Sequence, residues 1–173
     1  MRFNLLTASA YRVGLADFVI AELQLPHGRG RGGHTMPFSH SMPVLVVDDS
    51  RTVVSVVRKL LHQLGFSDVD DADDGASALE KLGTKSYGLV ISDWNMQTMN
   101  GYEFLRRVRE TPELKRLPFI MMTTEVDKEK VIAAKKAGVD NYIVKPFNTL
   151  TLRAKIETVY SARNTHVQAS CGG

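Results

Sequence analysis

The sequence predicts an α/β protein built on a single five-stranded parallel sheet with helices on both faces. Two observations carry that expectation. Short apolar runs recur along the chain and end in polar residues: Val44-Leu45-Val46-Val47 into Asp48-Asp49, Val90-Ile91-Ser92 into Asp93, Phe119-Ile120-Met121-Met122 into Thr123, and Tyr142-Ile143-Val144 into Lys145. Between them lie longer stretches with helical periodicity, punctuated by glycine or proline. Strands buried on both faces read as apolar runs, and polar groups collected at their C-terminal ends mark that edge as the functional one.

Each element has its own signal. Val44–Val47 is the first strand. Val53, Val56, Val57, Leu60, Leu61 and Leu64 recur at helical spacing and predict the inner face of a first helix, closed by Gly65. Val69–Ala72 is a short second strand. Asp74-Gly75 opens a second helix carrying Ala78, Leu79 and Leu82. Leu89–Ser92 is the third strand, and Asn100-Gly101 turns into a third helix with Leu105 and Val108 that ends before Pro112. Phe119–Met122 is the fourth strand, and a helix from about Asp127 to Ala137 stops at Gly138. Tyr142–Val144 is the fifth strand, and a last helix carries Leu152, Ile156 and Val159. Right-handed crossovers leave few ways to connect these elements. Residues from about 161 read as a frayed tail.

The bulk composition excludes several classes. The chain has 173 residues, 43% hydrophobic and 24% charged, ordinary values for a globular protein. It has no apolar run long enough to cross a bilayer. The single cysteine, Cys171, rules out a disulfide framework within the chain and suits a reducing compartment, so a cytoplasmic location is expected. The formal charge of +3 sits in the flanks. Residues 1–41 carry Arg2, Arg12, Arg29 and Arg31 against Asp17 and Glu22, and the tail carries Arg163, which leaves the rest near zero. A basic nucleic-acid-binding domain is not expected, nor is a membrane partner.

Residues 1–25 hold a weakly amphipathic pattern. Ala8-Ser9-Ala10 has the small-residue form of a signal cleavage site, but the apolar stretch before it is too short. Pro26-His27-Gly28-Arg29-Gly30-Arg31-Gly32-Gly33 is too rich in glycine to build a core and reads as disordered linker. Met36 and Met42 are candidate internal starts.

The chemistry follows from the strand ends. Asp48, Asp49 and Asp93 should meet at one edge, where three carboxylates repel one another unless some take up protons or a cation binds. Magnesium fits such oxygen ligands; calcium needs more of them, and thiols and imidazoles for zinc are missing. A metal beside an aspartate can hold an incoming phosphoryl group while the carboxylate attacks in line. Thr123 then supplies a hydroxyl and Lys145 a fixed cation for the phosphoryl oxygens. The acyl phosphate adds about −1.5 to −2 charge, which can draw Thr123 inward and leave a space for Tyr142. Taken singly, each residue has a plainer reading: Asp48-Asp49 as a turn or cap, Thr123 as a cap, Lys145 as a solvated lysine, Tyr142 as a half-buried tyrosine. Their register on neighbouring strand ends favours the joint reading.

Asp48-Asp49, Asp93-Trp94-Asn95-Met96, Met99-Asn100-Gly101, Thr123-Thr124-Glu125 and Lys145-Pro146-Phe147 together resemble the receiver domain of two-component response regulators. Among receivers, the chemotaxis regulators are the most similar. The resemblance runs from about Val44 to Tyr160. It implies a (βα)5 flavodoxin-like fold with strand order 2-1-3-4-5, a receiver at 42–161, a foreign extension at 1–41 and a disordered tail at 162–173. It implies that Asp93 accepts phosphate from a sensor histidine kinase. Asp49, Asp93 and the backbone carbonyl of Asn95 would bind magnesium directly, and Asp48 mainly through water. Thr123 and Lys145 would contact the phosphoryl group, Tyr142 would switch its exposure, and Asn95 and Glu125 would tune dephosphorylation. Lys145-Pro146 would be a cis peptide. Gln97 departs from the family, which usually has proline there.

A receiver of this kind catalyses only its own phosphorylation and dephosphorylation. Few residues remain after Tyr160 for an output domain, so the expected output is a protein contact made by a monomer, with the flagellar motor switch as partner. A shuttle passing phosphate to a histidine phosphotransfer protein is the alternative. An aspartyl-phosphate hydrolase would need a general acid where Asn95 stands. A flavodoxin-like cofactor binder would need a phosphate-cradling loop, which the sequence lacks.

Overall fold

The computed structural model describes residues 38–124 and 127–170, with side chains through residue 163. The expectations placed on residues 1–37, on Glu125 and on Cys171 lie outside the described residues.

Five strands form one parallel sheet in the order β2-β1-β3-β4-β5. They are β1 Val44–Val47, β2 Val69–Ala72, β3 Leu89–Asp93, β4 Phe119–Thr123 and β5 Asn141–Val144. Five helices alternate with them: α1 Arg51–Gln63, α2 Gly75–Thr84, α3 Gly101–Glu110, α4 Lys128–Lys136 and α5 Thr149–Ser170. The (βα)5 order and the 2-1-3-4-5 sequence of strands are those expected. None of the described helices is long and apolar enough to cross a membrane.

The alternation of the strands separates two apolar layers. Val44, Val46, Leu89, Ile91, Ile120, Met122 and Ile143 join Val54, Val57 and Leu61 of α1 and Leu152, Ile156 and Val159 of α5 in one cluster. The intervening Leu45, Val47, Val90, Phe119 and Met121 are equally buried, on the opposite face of the sheet. Burying both faces explains why the strands read as near-continuous apolar runs.

Polar residues at the turns start the helices. The Asp74 carboxylate accepts from the Ser77 N–H at 2.8 Å, and the Ser77 hydroxyl accepts from the Asp74 N–H, a reciprocal cap on α2. Asn100 caps α3 through the Glu103 N–H at 2.9 Å, and Asp127 caps α4 through the Glu129 N–H at 2.8 Å.

Three details differ from the sequence reading. The inner face of α1 is set by Val54, Val57 and Leu61, while Val56 is 52% exposed. The run Thr52-Val53-Val54-Ser55-Val56-Val57 offers two overlapping helical faces, and packing against β1 selects between them. Folding also begins before residue 42: Phe38 stacks on Phe66 with ring centres 5.6 Å apart and lies 5.3 Å from Tyr160. Lastly, α5 does not fray at 161 but runs to Ser170. Arg163 gives the reason, since its guanidinium bonds Asp140 at 2.6 Å and the Arg116 carbonyl, tying the helix back to the sheet.

Candidate functional site

The strand order reverses at β1, whose neighbours are β2 on one side and β3 on the other. The loops leaving β1 and β3 therefore diverge, and a crevice opens at their C-terminal ends. Register sets which residues reach it. Val47 pairs with Ser92, Asp93 with Met122 and Thr123 with Val144, so Asp48, Asp93 and Lys145 arrive at a common edge.

Lys145 joins the two acids. Its ammonium lies 2.6 Å from Asp48 Oδ2 and 2.7 Å from Asp93 Oδ1. The groups are well covered: Asp48 is 1% and Asp93 6% exposed. Their remaining oxygens are also engaged. Asp48 Oδ1 accepts from the Ser50 N–H at 2.9 Å, and Asp93 Oδ2 accepts from the Asn95 N–H at 2.7 Å. The Lys145-Pro146 peptide is cis, as expected.

Electrostatics at the site follow from burial and pairing. Burial raises the Asp93 pKa above the ordinary aspartate value, and the nearby Asp48 charge adds to the rise; Lys145 and the Asn95 N–H oppose it. For Lys145, burial favours the neutral amine, but Asp48 and Asp93 outweigh it and hold the ammonium charged. Asp93 is thus a desolvated nucleophile candidate beside a fixed cation.

The expected trio of carboxylates is not assembled. Asp49 is exposed, and among the described residues there is no group of three or more His, Cys, Asp or Glu at metal-holding spacing. One ammonium neutralises about one of two buried charges, and a third carboxylate drawn in beside them would be desolvated without a partner. Asn95 is likewise exposed at the rim.

Thr123 ends β4 and is fully buried, with its carbonyl accepting from the Lys145 N–H at 2.7 Å. Tyr142, on β5, is only 4% exposed, so its ring already occupies the inward position. Its hydroxyl is buried without a well-formed hydrogen bond, close enough to Thr123 for that side chain to oppose the rise in phenol pKa that burial causes.

The loop after Asp93 is tightly turned. Trp94 N–H donates to the Met122 carbonyl at 2.9 Å, and its own carbonyl accepts from the Gly101 N–H at 3.0 Å. Thr98 has a φ of +63°, and the Met99 N–H closes a three-residue turn on the Gln97 carbonyl at 2.7 Å. A β-branched residue in that region is strained. The strain falls immediately after Gln97.

Two residues at the rim were missed in the sequence. Tyr102 stacks on Trp94 with ring centres 5.6 Å apart, and Lys130 lies 6.0 Å from the centre of the Trp94 ring. An aromatic at the second position of α3 is the only sequence signal for the first; the second joins residues with no local pattern in common.

A switch-point crevice holding two buried acids and a lysine from separate strands is the arrangement of a signalling receiver. The response regulator receiver domain pattern matches residues 44–157, and the chain belongs to that family of two-component signalling proteins. Within it, the chain is similar to chemotaxis proteins. It is 42% identical to chemotaxis protein CheY-3 of Vibrio cholerae over 120 residues, 69% of this chain and 92% of the relative. It is 41% identical to chemotaxis protein CheY of Pseudomonas aeruginosa over 123 residues, 71% of this chain and 99% of that one. The crystal structure of CheY4 from Vibrio cholerae superposes with a TM-score of 0.65 at 38% identity, covering 69% of this chain and 98% of that one. Receivers of this kind are signalling proteins and not enzymes with an external substrate.

Proposed function

We propose that this receiver is a phosphorylation switch whose acceptor is Asp93. The observation that carries the reading is the contact between the Asp93 carboxylate and the Lys145 ammonium at 2.7 Å, inside a crevice that also holds Asp48. Asp93 attacks the phosphorus of a phosphohistidine donor on a sensor kinase. A carboxyl oxygen–phosphorus bond forms, the phosphorus–nitrogen bond breaks, and the departing imidazole takes a proton. Lys145 pairs with a phosphoryl oxygen, and the Thr123 hydroxyl donates to another.

The donor set suits magnesium. Asp48, Asp49, Asp93 and the Asn95 carbonyl offer only hard oxygen ligands, and one cation, the Lys145 ammonium, already bridges two of these acids. When bound, the ion supplies charge neutralisation at the phosphoryl oxygens. The chain's own residues do the rest: Asp49 and Asn95 sit exposed at the rim where solvent exchanges, and the Asn95 N–H orients Asp93 through Oδ2.

The output is a phosphorylation-dependent protein contact in chemotaxis. The names of the relatives support that setting. So do the exposed apolar side chains Ile132, Val144 and Leu150, at 49%, 38% and 74% exposure, which fall on α4, β5 and α5. The partner is the flagellar motor switch, and the site of action is the cytoplasm. Tyr142 and Thr123 form the switch between acceptor and surface.

Incubation with radiolabelled acetyl phosphate and magnesium tests the acceptor. Label should appear on the wild type and vanish in Asp93→Asn. Label that persists on another residue would defeat the assignment.

A further inference from the structure

Arg51 stands at the rim of the crevice against the local preference of its own helix. It is the first residue of α1, and its side chain is 74% exposed. The first turn of a helix carries the positive end of the macrodipole, where a cation is unfavourable, and α1 has no acid in that turn to offset it. Arg51 instead reaches across to the end of β2, with its guanidinium 3.1 Å from Asp73 and 3.4 Å from Asp71. Exposed ion pairs of this kind contribute little. Asp73 is itself 57% exposed, and Asp71 also holds Arg58. Arg51 can therefore turn away at small cost, because Asp71 keeps a partner and Asp73 keeps water.

Register sets this cation beside the acceptor. Val47 pairs with Ala72 on one side and with Ser92 on the other. The residues that follow, Asp73, Asp48 and Asp93, therefore stand in a row across the ends of β2, β1 and β3. Neighbouring strands lie about 4.8 Å apart, so the Asp73 backbone is about 10 Å from that of Asp93, roughly one screening length at about 0.1 M salt. The row is acidic. Lys145 is committed to Asp48 and Asp93, and Asp49 is exposed next to them. An anionic phosphodonor meets repulsion on this approach unless a cation at the rim offsets it.

We infer that Arg51 is a steering residue for anionic acyl phosphates: it turns from Asp73 toward the incoming phosphate and raises the rate at which small donors reach Asp93. This deepens the proposed role of Asp93 as acceptor and rests on it. In the transfer itself, the bond from an Asp93 oxygen to phosphorus forms as the bond from phosphorus to the acyl oxygen breaks, and the donor leaves as its carboxylate. Arg51 takes no proton and forms no bond. Its charge acts before the chemistry, so its effect fades with salt and grows with the charge of the donor.

The full chain is compared as wild type, Arg51→Ala, Arg51→Glu and Arg51→Lys, at saturating magnesium. Initial rates of phosphorylation are read by mass with two donors: acetyl phosphate, and phosphoramidate, which carries less negative charge at neutral pH. Each is measured at low salt and in about 1 M salt, where the screening length falls to about 3 Å. At low salt Arg51→Ala should take phosphate from acetyl phosphate about threefold more slowly than the wild type. Arg51→Glu should be slower still, and Arg51→Lys should keep most of the rate. The deficit should shrink with phosphoramidate and vanish at high salt. A wild-type rate in Arg51→Glu at low salt would overturn the inference. So would a deficit of equal size with both donors or at both salt levels, which would mark Arg51 as part of the site's architecture. A loss in Arg51→Lys as large as in Arg51→Ala would tie the effect to the shape of the guanidinium and refute steering by charge. A wild type that takes phosphate from neither donor would instead sink the acceptor assignment, and this inference with it.

Discussion

A side chain on Gly101 would be driven into the backbone carbonyl oxygen of Asp93. Helix α3 thus meets the acceptor strand at a separation that only a hydrogen permits, and the Gly101 N–H fixes the approach by donating to the Trp94 carbonyl at 3.0 Å. The obstacle is backbone, which cannot rotate aside. Gly101→Ala should therefore push α3 away from β3 and cost about 3 kcal/mol, at the upper end of overpacking effects. It should also slow labelling of Asp93, because the Asn95 N–H that orients the carboxylate belongs to the same loop. Urea unfolding and the rate of acetyl phosphate labelling measure the two effects. A variant equal to the wild type in both would show that α3 is free to shift.

Lys145→Ala removes the ammonium that separates Asp48 from Asp93 and leaves two well-covered carboxylates facing each other. Breaking a buried pair by deleting one partner costs about 3 kcal/mol or more. Magnesium should then stabilise the variant more than it stabilises the wild type, because the ion replaces a charge that the variant lacks. Thermal unfolding across a magnesium titration compares them. Equal responses would contradict a metal site between these two acids.

Much of this arrangement was legible because it is written in strand ends. The apolar runs ending in Asp48, Asp93, Thr123 and Lys145 place all four at one edge once the sheet is parallel, and Asp74, Asn100 and Asp127 mark helix starts by short-range bonds. The exposure of Asp49 was not legible. Two adjacent aspartates look alike in sequence, and alternation decides which is buried. Contacts between elements were also hidden. Phe38 on Phe66, Arg163 on Asp140 and Lys130 on Trp94 join positions 28, 23 and 36 residues apart, a separation that no helical or strand period encodes.

Asp140 is the clearest of these hidden contacts. Its carboxylate accepts from Arg109 at 2.9 Å, from the Phe119 N–H at 2.8 Å and from Arg163 at 2.6 Å. It thereby ties α3, β4 and α5 together at the end of the sheet away from the acceptor. Both Arg109 and Asp140 are mostly covered, with side chains 15% and 20% exposed. Asp140→Ala should cost about 3 kcal/mol, since it takes the carboxylate from two guanidinium groups, which keep only carbonyl partners, and leaves the Phe119 N–H without its acceptor. Arg163→Ala removes one arm only and should cost about 1 kcal/mol. The ranking, read from urea midpoints, is the test. Arg163→Ala falling as far as Asp140→Ala would mean that the helix end, and not the carboxylate, holds the network.

Tyr160 makes stability depend on alkaline pH. Its hydroxyl donates to the Gly88 carbonyl at 2.6 Å, next to Met42 Sδ at 2.9 Å. Burial pushes its pKa up to about 12, with the nearby Arg163 charge opposing the rise. The phenol in the unfolded chain ionises near its ordinary value of 10.0, so between that value and about 12 the folded protein holds a proton that the unfolded one has lost. Stability supplied by this tyrosine is therefore complete below pH 10 and is lost as pH rises through the folded value. Tyr160→Phe should cost about 1 kcal/mol at neutral pH, from the orphaned Gly88 carbonyl. It should also decline less steeply than the wild type above pH 10, so the two stability curves converge. Tyr87, also raised to about 12, keeps its own part of the slope in both proteins. Parallel curves over that range would show that the Tyr160 phenol ionises in the folded state as readily as in the unfolded one.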